Sequence, residues 1–127
     1  MPVFHKKGPS FLLVNGRVFP KALTMTVGDT NRLRIVSIHS DEILEFRLAD
    51  DSTVARWTPI ARDGADLSPA LRQSRLATIE MGPGQTADFL YVPERAGKML
   101  LEVWIGSTSI GTRVAVPIEV KARAAPR

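Results

Sequence analysis

The chain has 127 residues, of which 44% are hydrophobic and 24% charged, and it contains no cysteine. A chain of this length buries roughly two thirds of the surface that it exposes when unfolded, so it builds a core without disulfides or a structural metal. The absence of cysteine excludes disulfides, thiolate zinc sites and a cysteine nucleophile, but it does not identify a cellular compartment.

The formal net charge of +4 comes from the two ends of the chain. Outside residues 8–120 lie five of the 17 basic residues, which leaves 12 basic residues against all 13 acidic ones in that range. The densest internal basic group, Arg32, Arg34 and Arg47, is interrupted by acidic residues. Nucleic-acid-binding domains instead cluster arginine and lysine on one face, so we expect no nucleic-acid partner. The five terminal residues are Lys6, Lys7, Lys121, Arg123 and Arg127.

The N-terminus of this sequence shows no apolar run of signal-peptide length before its first charges, and no stretch of about 18 apolar residues occurs anywhere. We therefore expect no membrane span. The sequence leaves localisation open.

Alternating hydrophobic and polar residues predict a mostly β structure from the first element onward. Asn15-Gly16 separates two apolar runs and predicts a type I′ hairpin. After a turn at Gly28, Leu33 and Ile35 alternate with arginines. The next run places Leu44, Phe46 and Leu48 on one face of a half-buried strand, with charged residues between them.

Residues 63–75 lack this alternation and form the longest predicted loop. Ser68 followed by Pro69 predicts a single helical turn within it, with Ser68 as the N-cap. Loops of this kind carry binding residues in many β-sandwiches, so we treat the loop as a possible interface. Its candidate residues are Asp63, Gly64, Asp66, Leu67 and Leu71.

The last third of the chain reads as a turn at Gly82-Pro83-Gly84, a strand over 86–91 and two longer apolar runs. The two runs are the strongest core candidates. Pro117 interrupts the second run and predicts an edge strand or a bulge, because proline lacks the N–H that a ladder requires. The charged segment 121–127 is expected to be a disordered tail. The predicted core residues are Met99, Leu101, Val103, Ile105, Val114, Val116, Ile118 and Val120.

No catalytic, cofactor-binding or metal site emerges from the residues. His5 and His39 have no metal-ligand spacing around them, and the Ser40-Asp41 neighbours of His39 do not make a triad. The aspartate pairs at 50–51 and 63–66 suit turns better than acid–base or calcium chemistry. Trp57 and Trp104 are expected to pack in the core, although an interface role stays open.

The order of several segments resembles a cupredoxin-like domain of the multicopper oxidases, of the kind that holds no copper. These segments are the Asn15-Gly16 turn, the strand at 32–36, the run 60–67 (IARDGADL) and the run 81–89 (MGPGQTADF). The resemblance implies a Greek-key β-sandwich. It also matches six residues to turn and corner positions of the family: Gly28, Asp63, Gly64, Gly82, Gly84 and Asp88.

For an intact multicopper oxidase, the resemblance implies oxidation of a reductant coupled to dioxygen reduction at four coppers. Those coppers are held by His-x-His pairs and a His-Cys-His run, and this sequence contains neither motif. No copper ligand therefore transfers to any residue here, and we expect this chain alone to be neither an enzyme nor a copper protein.

Two hypotheses follow. In the first, the chain is a copper-free domain that scaffolds neighbouring cupredoxin domains in a longer, exported oxidase, which would be periplasmic or secreted. In the second, it is an independent β-sandwich that binds a protein, peptide or carbohydrate through its loops.

Self-association through an edge strand is a further expectation. We expect an extension over 1–8, a sandwich over 9–120 and the tail over 121–127. The predicted structural turns are Asn15, Gly16, Gly28, Gly82 and Gly84.

Overall fold

The structure is a computed structural model that describes residues 21–38, 43–51, 53–105 and 113–124. Ten strands and one short 3-10 turn make up this part of the chain. In chain order the elements are β1 (Leu23–Thr26), β2 (Asn31–Val36), β3 (Leu44–Ala49), β4 (Arg56–Arg62), β5 (Ala65–Asp66), the 3-10 turn (Pro69–Leu71), β6 (Arg75–Leu76), β7 (Thr78–Met81), β8 (Thr86–Tyr91), β9 (Gly97–Ile105) and β10 (Arg113–Lys121).

The strands form two sheets, and the chain crosses between them repeatedly. The first sheet has the order β1-β10-β9-β3-β7, and the second has the order β2-β8-β4-β5, with β6 pairing to β4. All pairings are antiparallel except that of β1 with β10. The predicted all-β, Greek-key sandwich is confirmed. The single helical turn predicted after Ser68 is also present, although the Ser68 side chain makes no capping hydrogen bond.

One hydrophobic cluster joins the inner faces of both sheets. Leu48 and Val103 enter it from the first sheet, while Trp57 and Phe89 enter from the second and stack with ring centroids 3.9 Å apart. The alternation in β3 is as predicted, because Leu44, Phe46 and Leu48 are buried. Seven of the eight core residues predicted from the last two runs are buried, and Leu101 is partly buried against the cluster.

The edge position predicted for the Pro117 strand is wrong. β10 lies between β1 and β9, and its pairing with β9 runs without interruption from Arg113 to Val120. The pairing with β1 begins only at Leu23 opposite Ile118, one residue after the proline. Pro117 therefore sits just before the parallel ladder starts, where β10 has no paired β1 residue opposite it, so an interior strand accommodates it.

The predicted start of the disordered tail is also wrong. Lys121 is the last residue of β10, and its carbonyl accepts a hydrogen bond from the Val27 N–H. The Arg123 side chain donates to the Val27 carbonyl and to the Asp29 carboxylate. These contacts tie the segment to the turn after β1. Residues 125–127 and the predicted hairpin at Asn15-Gly16 lie outside the described residues.

Candidate functional site: a loop groove and an arginine-clasped aspartate

The described residues contain no group of three or more histidine, cysteine, aspartate or glutamate side chains that could hold a metal ion. Both histidines, His5 and His39, lie outside the described residues, and the chain has no cysteine. A blue copper centre requires a cysteine thiolate with two histidines, so the residues of this chain do not fit one. No helix in the described ranges has the length and apolar character needed to cross a bilayer.

Asp63 and Gly64, two of the predicted loop residues, form a tight corner after β4. Asp63 has φ 50° and Gly64 has φ 82°, so glycine relieves the strain of the second left-handed position. The Asp63 N–H donates to the Thr86 carbonyl at 2.9 Å, and the Asp63 carboxylate accepts from the Thr86 N–H at 3.0 Å. This pair of hydrogen bonds fixes the corner to the start of β8, so Asp63 serves the architecture.

The remaining predicted loop residues separate into two groups. Asp66 is exposed on β5, where it pairs with Ala61. Leu67 is half-buried, and its N–H donates to the Ile60 carbonyl at 2.9 Å. Leu71 ends the 3-10 turn with 61% of its surface exposed. The Arg72 side chain donates to the Leu67 carbonyl at 2.7 Å and so links the two ends of the turn.

Leu67 and Leu71 form one side of a groove of about 480 Å³. Phe89, Ile79 and the basic residue Arg75 also line it. Sequence reasoning missed Phe89 and Ile79 because the groove brings β7 and β8 together with a loop distant in the chain. The structure therefore brings together Leu67 and Leu71, but it does not place Asp63, Gly64 or Asp66 in the lining. We name this feature the loop groove.

Arg62 is another lining residue of the loop groove that the sequence did not single out. Its Nη2 donates to the Gln85 side-chain oxygen at 3.3 Å, and the same oxygen accepts from the Gly82 N–H at 2.7 Å. Within the described ranges its buried Nε has no hydrogen-bond partner. The sequence feature that could have pointed to Arg62 is its position directly before the Asp63-Gly64 corner.

Of the predicted turn residues that the structure describes, Gly28 and Gly84 adopt positive φ, at 87° and 77°. The Gly84 N–H donates to the Ser37 carbonyl at 2.8 Å, which joins the turn before β8 to the end of β2. Gly82 does not need a left-handed conformation, since its role in the turn comes from its N–H bond to the Gln85 side chain.

Asp88 lies on the outer face of β8 and is clasped by two arginines of β2. Arg32 donates to its carboxylate from Nε at 2.8 Å, and Arg34 donates from Nε and Nη2 at 3.1–3.3 Å. The Asp88 side chain is only 6% exposed, whereas the arginines are 51% and 67% exposed. Burial by itself would raise the pKa of Asp88, but the hydrogen bonds and charges of Arg34 and Arg32 outweigh it, and the pKa lies below its usual value.

No model of a known protein family matches the sequence, and no curated protein matches it. Among solved structures, the fold is similar to that of Fet3p, a multicopper oxidase that functions in iron import, with a TM-score of 0.68 and 14% identity over 91% of this chain. It is also similar to the laccase-like multicopper oxidase CueO from Ochrobactrum sp., with a TM-score of 0.62 and 17% identity over 85% of this chain. A multicopper oxidase from Campylobacter jejuni, described as a metallo-oxidase, gives a TM-score of 0.61 and 17% identity over 91% of this chain.

At these identities the likeness establishes the fold, which is the cupredoxin-like β-sandwich of multicopper oxidases. This chain spans only 22%, 23% and 24% of the three proteins, respectively. It therefore corresponds in size to one domain of such an enzyme.

Proposed function

We propose that this chain is a copper-free, cupredoxin-like domain of a multicopper oxidase and that it scaffolds neighbouring copper-binding domains. The observation that carries the proposal is the combination of near-complete coverage of this chain with coverage of about a quarter of each oxidase. One β-sandwich matched within a several-fold longer chain is what a single domain of such an enzyme gives.

In this proposal, oxidation of the reductant and reduction of dioxygen take place at coppers held by other domains. The donor set here supports that division, since the chain lacks cysteine and its described residues include no metal-binding group. The contribution of this chain is then rigid surface: a packed core and corners closed by hydrogen bonds position whatever docks on its faces. Like an exported multicopper oxidase, the parent protein would act in the periplasm or outside the cell.

The encoding DNA gives the most direct test. We expect the same reading frame to continue, upstream or downstream, into segments that encode His-x-His pairs and a His-Cys-His run. A gene that encodes only this chain, with its own promoter and stop codon, would contradict the proposal.

A copper titration tests the assignment of chemistry to other domains. The purified chain, mixed with Cu²⁺ and desalted, should show no intense blue thiolate absorption, and it should not oxidise a phenolic substrate in air. A blue band or oxidase activity would refute the argument from the donor set.

A second candidate function is an independent binding module that uses the loop groove. The observation in its favour is Leu71, a large aliphatic side chain that is 61% exposed and lines the loop groove together with Leu67, Ile79 and Phe89. Leu71→Ala should lower the affinity for a partner found by glycan array or lysate pull-down, and it should leave the melting temperature of the chain unchanged. Leu76→Ala is the matched control, because Leu76 is 53% exposed and does not line the groove. Equal losses in both variants, or no partner, would count against this function.

A further inference from the structure

A row of apolar residues runs across the outer face of the first sheet, perpendicular to its strands. The register places Pro117 of β10 opposite Leu100 of β9, and Leu100 opposite Ala49 of β3. An isolated bridge continues the row from Ala49 to Val54. At the other end of the row, Leu23 pairs with Ile118 in a parallel ladder. Ala22 therefore lies beside Pro117, because each residue comes one position earlier in its segment. Five neighbouring segments thus contribute one apolar residue each: Ala22, Pro117, Leu100, Ala49 and Val54.

These five residues line a cleft of about 700 Å³, which we name the transverse trough. The trough is recessed because longer side chains flank the row on both sides. Lys98 and Glu119, which are paired across the strands, form one wall, and Arg47 and Glu102 form the other. The turn at 50–51 closes the β3 end. A volume of this size falls within the range of sites that hold small ligands or a few peptide side chains.

The wall formed by Arg47 and Glu102 is held in a fixed position. Arg47 donates from Nε and Nη2 to one carboxylate oxygen of Glu102, at 3.2 and 2.7 Å. Its guanidinium carbon lies 5.2 Å from the centroid of the Trp104 ring, within the range of a cation–π contact. Glu102 is only 7% exposed although it stands on the outer face of the sheet. This wall is therefore neutral overall and ordered before any partner arrives.

The trough as a whole is acidic. Its lining includes four acidic residues, Asp50, Asp51, Glu102 and Glu119, against the two basic residues Arg47 and Lys98, which gives a net charge of −2. The Asp50 carboxylate lies 3.9 Å from the Arg95 guanidinium. Because the Arg95 side chain is 85% exposed, solvent screens this ion pair. An apolar floor under a negatively charged rim is complementary to an apolar group that has a positive charge beside it.

The outer face of an antiparallel sheet usually carries polar side chains. The outer face of β2 and β8 in the other sheet is mainly polar, with Arg32, Arg34, Thr86 and Asp88 beside Val36 and Leu90. Single exposed aliphatic residues need no explanation. A row that keeps register across neighbouring strands and lines a cleft is different, because its exposed members Pro117 and Leu100 stand side by side and Ala49 continues the apolar floor beneath the cleft.

We propose that the transverse trough binds an extended polypeptide segment in which apolar side chains stand next to lysine or arginine. Five segments spaced by about 4.8 Å give a strip about 19 Å long, which matches roughly six residues of extended chain at about 3.3 Å each. The apolar side chains of the segment pack on Leu100 and Pro117, and its cations face Asp51 and Glu119. This inference depends on the shape and the charge of the trough and does not require the chain to belong to an oxidase.

Fluorescence anisotropy with labelled eight-residue peptides tests the proposal on the full chain. A peptide of alternating leucine and lysine should bind saturably and more weakly as salt increases. A leucine–glutamate peptide and a serine–lysine peptide should each bind at least about tenfold more weakly, because one lacks the charge and the other the apolar contact. Equal binding of all three peptides, or of none, would overturn the proposal.

Variants locate the binding. Leu100→Asp should lower the affinity for the leucine–lysine peptide about tenfold or more, and Glu119→Gln should lower it about threefold. Val36→Asp is the matched control, since Val36 is 49% exposed against 42% for Leu100 but lies on β2 of the other sheet. It should change affinity by less than about twofold. Circular dichroism melts check folding, and Leu100→Ala replaces Leu100→Asp where the aspartate variant does not fold. A loss in Val36→Asp as large as in Leu100→Asp would place binding elsewhere.

Sedimentation of the chain without peptide tests whether a second copy of this protein occupies the trough instead. A concentration-dependent dimer of the unmodified chain that Leu100→Asp abolishes would assign the trough to a second copy of this protein and overturn the peptide proposal. A single species at the mass of one chain, combined with Leu100-dependent peptide binding, supports it.

Discussion

Replacing Asp88 with asparagine tests whether the arginine clasp stabilises the second sheet. The substitution keeps the shape of the side chain but removes the charge that Arg32 and Arg34 share. The two guanidinium groups would then face each other, two residues apart on one face of β2, without a counter-charge. Asp88→Asn should therefore lower the free energy of unfolding at neutral pH.

The size of the loss follows from burial on one side of the pair and exposure on the other. Hydrogen bonds to a charged group contribute about 1.5–3 kcal/mol each when they are well shielded. Here the carboxylate is buried, but both arginines are more than half exposed and solvent screens them. We therefore expect a combined loss of about 2–3 kcal/mol, at or below the lower limit for two such contacts because solvent screens the arginines.

The loss should depend on pH in a defined direction. The pKa of Asp88 is lowered in the folded chain, so the unfolded chain binds its proton first as the pH falls. The stabilisation is complete above the unfolded pKa of about 3.9 and disappears as the pH falls through the lower folded pKa. The deficit of Asp88→Asn should thus be constant at neutral pH and shrink below about pH 4.

Urea unfolding followed by tryptophan fluorescence is a suitable assay, because Trp57 is 1% exposed and stacks on Phe89 in the core. Asp66→Asn is the control, since Asp66 is an exposed aspartate on β5, and it should stay within about 0.5 kcal/mol of the unmodified chain. Equal stability of Asp88→Asn and the unmodified chain at pH 7, or a deficit that persists unchanged at pH 3, would refute the reasoning.

Three further predictions address the core, the alkaline limit and metal dependence. Leu48→Ala should lower the free energy of unfolding by about 3–4 kcal/mol in urea titrations, because Leu48 is fully buried. Burial, together with Glu94 and Asp50, raises the pKa of Tyr91, so stability should fall above about pH 10, and Tyr91→Phe should flatten that fall in urea midpoints measured from pH 8 upward. EDTA should leave the melting temperature unchanged within about 1 °C by calorimetry, because the described residues hold no metal-binding group; a larger decrease would reveal a structural metal.

Local sequence patterns predicted the strands well because alternation depends only on near neighbours. Leu44, Phe46 and Leu48 face the core as their spacing requires. The helical turn at Pro69 was also local, since proline at the first helical position sets the backbone angle by itself. Both features were accessible without knowledge of any partner strand.

Features that depend on strand order were not accessible in this way. Pro117 lies in an interior strand because β1 begins its pairing one residue later, and no local pattern encodes that offset. Asp88 is buried on the outer face of β8 because two arginines, 54 and 56 residues away in the chain, cover it. The transverse trough has the same origin, since Leu100 and Ala49 meet only through cross-strand register.

The candidate surfaces of this protein are distinct, and that separation makes their roles testable one at a time. The loop groove lies beside β7, β8 and the 3-10 turn, whereas the transverse trough lies on the outer face of β3, β9 and β10, and the two have no lining residue in common. Substitutions at sites without shared partners combine additively. A scaffold that holds one neighbour on each surface should therefore lose its contacts independently in Leu71→Ala and Leu100→Asp, while a module with one ligand should respond to only one of them.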